Sequence, residues 1–401
     1  MDTVVIGLGF TGLPVAVAAA KAGLRVLGVD ADAHRVRHVT ACTPGCGLTT
    51  TDESALAEVI RSGRLSLRHN EIVAADSYVV CVPTPPDRHG ALDTAMLADA
   101  VDRVGAVLRR GALVIVQSTC EPGTVERILA PRLESASELR AGLDFHLAHS
   151  PVRTDPGNST PTPRIVAGLT PECTERAASL LRRLSSECVT MSTLRAAELT
   201  KVFENTFRLV NISLANELAT LCRAQGVDVH EVLDAAGTKP FGFLRHRPGP
   251  GAGGDCIPVS AGFFVANARR HGLHSPVVDA SIAVNDSMPA HTLHRVRTKL
   301  TELGVPMRRV HVLGVTYKPG VANVRQSPAL RVINELSREA VVSYHDPFVP
   351  DLVLDNGSKL TSQPVDASAD VVLIMTRHAS VSLRTSTLVI DCTAGDAVLA
   401  A

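Results

Sequence analysis

Short apolar runs recur at regular intervals through the first half of the chain. Val4-Val5-Ile6 reads as a buried strand, and the alanine-rich stretch from about Thr11 to Ala22 reads as a helix that Gly23 stops. A second apolar strand, Leu24 to Val29, closes on Asp30. The same patterning predicts strands at Ser77–Val82, Ala112–Gln117, Phe145–His149, Arg164–Ala167 and Cys188–Met191. Helices fit Asp93–Leu108, Gly123–Ser135 and Pro171–Leu184. Alternation of this kind favours a parallel sheet with helices on both faces. From Leu194 the period changes to one long helical stretch reaching Ala224, with Gly226 as its stop. More helices follow at Val229–Ala236, at Ser260–His271 and beyond Val277. A second α/β pattern begins near Arg309, with a strand over Val310–Val315 and a helix opened by Ser327-Pro328. Val341–Tyr344, Asp370–Met375 and Leu388–Asp391 supply further strands.

The first strand runs into Gly7-Leu8-Gly9-Phe10-Thr11-Gly12, a G-x-G-x-x-G turn that opens a helix. Gly7 suits the tight turn, Gly9 the approach of a pyrophosphate, and Gly12 close packing of helix on strand. The helix N-terminus would face phosphates with unpaired N–H groups. Asp30 stands where a carboxylate hydrogen-bonds ribose hydroxyls and repels a 2′-phosphate, so NAD is the expected cofactor. An α/β turn that merely needs glycines is the competing account. The predicted architecture is α/β, with two Rossmann-like doubly wound domains, 1–192 and 301–401, joined by a helical middle domain, 193–300, built on the long central helix. The last domain lacks a complete G-x-G-x-x-G, which suits a substrate nucleotide better than a second NAD.

Composition narrows the class. Forty basic and forty acidic residues cancel, so no strong field draws nucleic acid or an anionic membrane. Nine cysteines without paired spacing argue against a disulfide framework, and Cys42-Thr-Pro-Gly-Cys46 has the wrong spacing for zinc; no metal is expected. No apolar run reaches the roughly 18 residues of a membrane span. The chain enters its first strand at once, leaving no room for a signal peptide, and a cytoplasmic protein is expected. Mid-chain, Pro248-Gly249-Pro250-Gly251-Ala252-Gly253-Gly254-Asp255-Cys256-Ile257-Pro258 is a glycine-rich loop delivering a cysteine. Glycine lets backbone approach a ligand closely, and the thiol at its end is a candidate nucleophile, although most cysteines are inert core residues.

Together these segments resemble the UDP-glucose/GDP-mannose dehydrogenase family. The likeness rests on Gly7 through Pro14, Val82-Pro83-Thr84-Pro85, Ser118-Thr119 with Pro122-Gly123-Thr124, and Glu198 through Glu217. It continues in Pro248 to Pro258, Leu313 to Pro319, Arg325-Gln326-Ser327-Pro328-Ala329 and Tyr344-His345-Asp346-Pro347. The Gly-Gly-x-Cys-Ile-Pro form is most similar to the branch acting on N-acetylhexosamine nucleotides. The resemblance implies oxidation of carbon 6 of a nucleotide sugar to a uronate with two NAD⁺, through a thiohemiacetal and a thioester on Cys256. It implies catalytic roles for Lys201, Asn205 and Thr119. It places Phe10, Thr11, Arg35, Val82, Pro83, Thr84, Ser118 and Thr119 at the cofactor beside Gly7, Gly9, Gly12 and Asp30. It places Lys201, Asn205, Phe241, Gly249, Gly251, Gly253, Lys318 and Arg325 at the sugar nucleotide, with Arg325 reaching a neighbouring subunit. The long helix carries too many apolar residues for one buried face, so a homodimer is expected.

Two positions depart from the family pattern. Val152 stands where a glutamate follows Ser-Pro, and Ser260 where an aspartate follows the cysteine by four residues. Gln117 also replaces a frequent glutamate. The missing carboxylates are those the resemblance assigns to water activation, and neither valine nor serine is a base near neutral pH. Three readings stay open: a carbon 6 enzyme compensated by Glu121, Asp155 or Asp255; a two-electron dehydrogenase of a secondary ring hydroxyl such as carbon 4 of a uronate; or a nucleotide-sugar-binding protein without turnover. A β-hydroxyacid dehydrogenase would need neither the cysteine loop nor the third domain.

Overall fold

The computed structural model describes the chain apart from residues 43–49, 88–89, 154–161, 186, 366–367, 382–386, 394–396 and 400–401. Cys46 and Asp155 lie outside the described residues. Two compact units divide the chain, Met1–Phe203 and Glu204–Ala401.

The first unit is built on an eight-stranded sheet. Its elements run β1 (Thr3–Ile6), α1 (Gly12–Lys21), β2 (Val26–Asp30), α2 (Ala33–Thr40), α3 (Thr50–Arg61), β3 (Leu65–His69), β4 (Ser77–Val80), α4 (Ala95–Gly105), β5 (Leu113–Val116), a π-helical turn at Val125–Leu129 leading into α5 (Ala130–Ser137), β6 (His146–His149), β7 (Arg164–Gly168), α6 (Pro171–Leu184) and β8 (Cys188–Thr190). The strand order is β3-β2-β1-β4-β5-β6-β7-β8. The pairing is parallel except between β6 and β7. Successive strand residues face opposite sides, and both sides are covered. Val4, Ile6, Val80 and Val114 pack with Leu97, Val101 and Leu133, whereas Val5 and Val79 pack with Val15, Ala16 and Leu56. Burial on both faces is why these strands read as unbroken apolar runs.

Helix α7 (Leu194–Ala224) runs through the boundary between the units. The second unit continues with α8 (Val229–Gly237), α9 (Ile257–Arg270), α10 (Pro276–Leu303), β9 (Arg309–Leu313), α11 (Pro328–Leu336), β10 (Val341–His345), β11 (Asp351–Val353), β12 (Lys359–Thr361), β13 (Val371–Ile374), β14 (Leu388–Asp391) and β15 (Ala397–Leu399). The sheet order is β10-β9-β13-β14-β15, parallel apart from β15. Val310, Val312, Val371 and Leu373 meet Val332, Ile333 and Leu336 of α11 and Val296 and Leu300 of α10.

The predicted elements are found, with instructive differences. The expected helix at Gly123–Ser135 opens as a π turn only at Val125. The helix expected from Ser260 starts at Ile257, because Pro258 is favoured in a first turn and extends it back to the cysteine. The sheets are not wholly parallel. The half-exposed β3, the helices α2 and α3, and the short β11, β12 and β15 escaped prediction because they lack a clean apolar period.

Candidate active site

In the first unit the strand order reverses beside β1, so the loops leaving β1 and β4 part there, the place where open sheets bind ligands. Gly7 adopts φ +88°, and a Cβ on Gly12 would lie 1.8 Å from the Gly7 carbonyl oxygen; only glycine lets α1 approach that closely. A Cβ on Gly9 would meet nothing within 4 Å, so the turn is open outward there. No side chain caps α1, leaving its first N–H groups and positive dipole end for a phosphate. Asp30 accepts the N–H of Leu8 at 2.7 Å through Oδ2 and that of Asp32 at 2.9 Å through Oδ1, which fixes its carboxylate beside the turn. Arg35 donates to the Leu8 carbonyl at 2.6 and 2.8 Å, so it braces the turn. Phe10 is exposed and Thr11 half-buried at the turn's tip. These residues fit a dinucleotide.

The next loops at the same sheet edge carry Val82, Pro83 and Thr84 after β4, and Ser118 and Thr119 after β5. Ser118 Oγ donates to the Val82 carbonyl at 2.7 Å, tying the two loops together; Thr119 is half-buried. Glu121 is buried and accepts the Leu92 N–H at 2.6 Å, so this carboxylate already has a structural task. Glu198, fully buried on α7, accepts the N–H groups of Gly123 and Val125 and so caps the π turn from another element. Burial pushes its carboxyl up to about 7, against those two N–H groups, which act in the opposite direction. His149, at the end of β6, is also fully buried, and neither ring nitrogen meets a hydrogen-bond partner among the described residues. Burial pushes it down to about 3, opposed only by the backbone of Val116. Glu198 lies in a segment that carries the family resemblance, yet sequence gives it no task, and the one sign of His149 is a polar residue in an apolar run. Val152 is half-buried and supplies no acid at this edge.

In the second unit, Cys256 is the N-cap residue of α9 and is exposed. Among the described cysteines it alone is exposed; Cys81 is pushed up to about 12 and Cys120 well up by burial, which makes them inert thiols. The loop before it is held by two asparagines. Asn216 Oδ1 accepts the Gly249 N–H at 2.8 Å, and Asn285 Oδ1 accepts that of Ala252 at 2.7 Å. A Cβ on Gly254 would lie 2.7 Å from the Tyr317 ring, and one on Gly253 2.5 Å from the Gln326 carbonyl oxygen. Part of the glycine signal therefore reflects close packing on this chain's own residues, not on a ligand. Asp255 turns its carboxylate toward Arg325 Nη1 and Asn323 Nδ2, both at 3.4 Å. Ser260, one helical turn beyond Cys256, is buried and accepts a hydrogen bond from Asn205 Nδ2 at 2.9 Å. Lys201 is buried one turn earlier on α7. Phe241 is exposed, with Lys239 Nζ 5.0 Å from its ring centre.

A cavity of about 220 Å³ opens at the carboxyl ends of β9, β13 and β14, lined by Thr316, Tyr317, Met375, Thr376, Arg377 and Thr393 among others. It lies where the second sheet's strand order reverses. Lys318 is half-buried in the same loop as Tyr317, and Arg325 is exposed beyond it. Among the described residues no group of His, Cys, Asp and Glu could hold a metal. None of the described helices is long and apolar enough to cross a membrane.

A dinucleotide turn in one unit, an exposed thiol in the other and a second α/β sheet with its own ligand cavity define an NAD-dependent oxidoreductase of a nucleotide-linked substrate. The chain belongs to the UDP-glucose/GDP-mannose dehydrogenase family, matching its NAD-binding domain over residues 1–185, its central domain over 195–287 and its UDP-binding domain over 311–392. It is similar to the UDP-N-acetyl-D-mannosamine dehydrogenase of Pyrococcus horikoshii, with 33% identity covering 94% of this chain and 90% of that protein. The UDP-N-acetyl-D-glucosamine 6-dehydrogenase of Pseudomonas aeruginosa is 32% identical, with 94% and 91% covered. The solved structure of the Pyrococcus horikoshii UDP-D-ManNAc dehydrogenase superposes with a TM-score of 0.88 at 30% identity, covering 98% of this chain and 96% of that one. The protein is thus a nucleotide-sugar dehydrogenase that oxidises a CH–OH group with NAD.

Proposed function

We propose that the protein oxidises the carbon 6 alcohol of a UDP-linked N-acetylhexosamine to the acid, with Cys256 as covalent nucleophile. The observation that carries this is the exposure of Cys256 alone among the described thiols, at a helix N-terminus and on a loop pinned by Asn216 and Asn285. The substrate class follows the two relatives, whose names specify UDP-N-acetylhexosamines. Held by the Gly7–Gly12 turn and Asp30, NAD⁺ would supply the hydride acceptor for both oxidation stages. Cys256 adds through sulfur to the carbon 6 aldehyde, forming a C–S bond and a thiohemiacetal whose oxidation leaves a thioester. Water then displaces the thiol and releases the uronate. The Lys201 ammonium and the Asn205 amide share one face of α7, where they stabilise oxyanion charge and orient the sugar. Asp30 selects NAD⁺ by repelling a 2′-phosphate, and Lys318 and Arg325 hold the nucleotide. The apolar side chains left exposed along α7, including Phe207, Leu214 and Leu221, form the contact of a homodimer.

A second reading has a specific basis: Val152 and Ser260 supply no carboxylate, Glu121 is tied to Leu92, and Asp255 faces Arg325. An enzyme of that kind stops after one hydride and yields an aldehyde or ketone. Counting NADH per substrate while weighing the intact protein separates the two. Two NADH with a released acid supports carbon 6 oxidation. One NADH with a ketone, unaffected by Cys256→Ser, overturns it.

A further inference from the structure

The carboxyl end of the second sheet holds a buried polar cluster that the chemistry above does not use. His378, four residues beyond β13, is buried, and its Nε2 lies 3.0 Å from Asp346 Oδ2 and 3.2 Å from Thr316 Oγ1. The N–H of Gly320 donates to Nδ1 at 3.2 Å. An amide N–H can only donate, so Nδ1 is the acceptor nitrogen and Nε2 carries the proton given to Asp346. Asp346 is itself buried and accepts the N–H groups of Val315 and Thr316 at 2.7 and 3.2 Å. Burial works to raise its carboxyl, but the bonds from His378, Phe348 and Val315 together hold it below the ordinary carboxylate value. Thr316 Oγ1 donates to the Lys318 carbonyl at 3.0 Å, and Thr376 Oγ1 to the Thr316 carbonyl at 2.6 Å. A hydroxyl–imidazole–carboxylate relay would need the hydroxyl and the carboxylate on opposite ring nitrogens. Here both meet Nε2, so the cluster holds backbone and does not relay protons.

We propose that His378 is a positioning residue for the substrate: it clamps the segment 316–320 at both ends, so that Lys318 is presented to the nucleotide phosphates. Asp346 fixes the entry of the segment at Thr316, and His378 fixes its exit at Gly320 while bonding to Asp346. The segment contributes Thr316, Tyr317 and Pro319 to the cavity lining. Fixing it before binding removes an ordering cost that the ligand would otherwise meet. The inference rests on the reading that this cavity takes the nucleotide half of the substrate.

The two ring nitrogens can be tested apart. In His378→Asn the side-chain oxygen falls near the Nδ1 position and can still accept from Gly320. In His378→Gln the amide nitrogen falls near Nε2 and can still donate to Asp346. UDP and NADH dissociation constants and melting temperatures are measured for the whole protein and both variants. The clamp requires UDP binding to weaken about tenfold in His378→Gln, the loss of one positioning bond at ~1.4 kcal/mol, while NADH binding is unchanged. His378→Asn should keep UDP affinity within about twofold. If His378→Gln does not fold, Thr316→Val, which cuts the hydroxyl bond to the Lys318 carbonyl, should weaken UDP binding instead. Equal UDP affinity in wild type, His378→Gln and Thr316→Val would overturn the clamp alone. Parallel losses of UDP and NADH affinity with melting temperature would reduce His378 to a fold-stabilising residue. A wild-type protein that binds no UDP would overturn both the cavity reading and the clamp.

Discussion

The Asn205 amide donates to the Ser260 hydroxyl at 2.9 Å, and both side chains are buried. The bond joins α7 to α9 one turn beyond Cys256, at the position where the family pattern has an aspartate. Ser260→Ala should leave a buried amide N–H without its acceptor and lower stability by about 1–3 kcal/mol, read as a shift in urea midpoint. Ser260→Asp keeps an acceptor for Asn205 and adds a base. Paired with Val152→Glu, it should raise acid formation in an enzyme stalled at the thioester. An unchanged product ratio in the double variant would argue that water is activated elsewhere.

The proposed role of Asp30 in cofactor choice makes a direct prediction. Asp30→Ala should narrow the preference for NAD⁺ over NADP⁺ by about tenfold or more, the factor that ~1.4 kcal/mol of charge repulsion carries. Ratios of kcat/KM for the two cofactors test this, and an unaltered ratio counts against the assignment.

Glu198 makes stability fall as pH rises. Its folded value, about 7, lies above the ordinary 4.5. The unfolded chain therefore releases this proton first, and the contribution, complete below 4.5, is lost as pH climbs to about 7. The difference in unfolding free energy between wild type and Glu198→Gln should shrink by roughly 3 kcal/mol at most across that window. A difference independent of pH would show that Glu198 is ionised in the fold throughout.

His149 has the opposite sign. Its folded value, about 3, lies below the ordinary 6.5, so the unfolded chain takes up the proton first on acidification. The contribution is complete above 6.5 and is lost as pH falls toward 3. Relative to His149→Gln, the wild type should lose up to roughly 5 kcal/mol over that range. Parallel acid-unfolding curves for the two proteins would contradict this.

Leu214 and Leu221 lie seven residues apart on α7, both exposed. Leu214→Glu combined with Leu221→Glu should convert a dimer to monomer in analytical ultracentrifugation. A dimer of undiminished affinity would place the subunit contact on another face.

Much of this was legible in the chain. The helices Pro171–Leu184 and Leu194–Ala224 follow from a sustained apolar period, with Gly226 as the stop of the second, and both stand at those bounds. The NAD turn was legible because Gly7 and Gly12 are demanded by backbone geometry alone. What stayed hidden depends on distance in sequence. Glu198 looks like an exposed helix acid until the segment Gly123–Val125 is brought beside it. The partnership of His378 with Asp346 spans 32 residues and has no period to betray it. The glycine loop suggests room for a ligand along its whole length, yet Tyr317 and Gln326 occupy the space at Gly254 and Gly253.

That last contact bears on how such enzymes can be recombined. The Tyr317 ring lies against Gly254, and the Gly254 N–H donates to the Arg325 carbonyl at 3.0 Å. The loop that carries Cys256 is thus cast against the strand-end segments of the second sheet. A chimera that imports a relative's C-terminal region from residue 301 onward would import a foreign mould for Cys256. Exchanging nucleotide specificity by grafting should therefore succeed only when residues 248–258 travel with the graft, which makes the thiol loop and the sheet a single unit of inheritance.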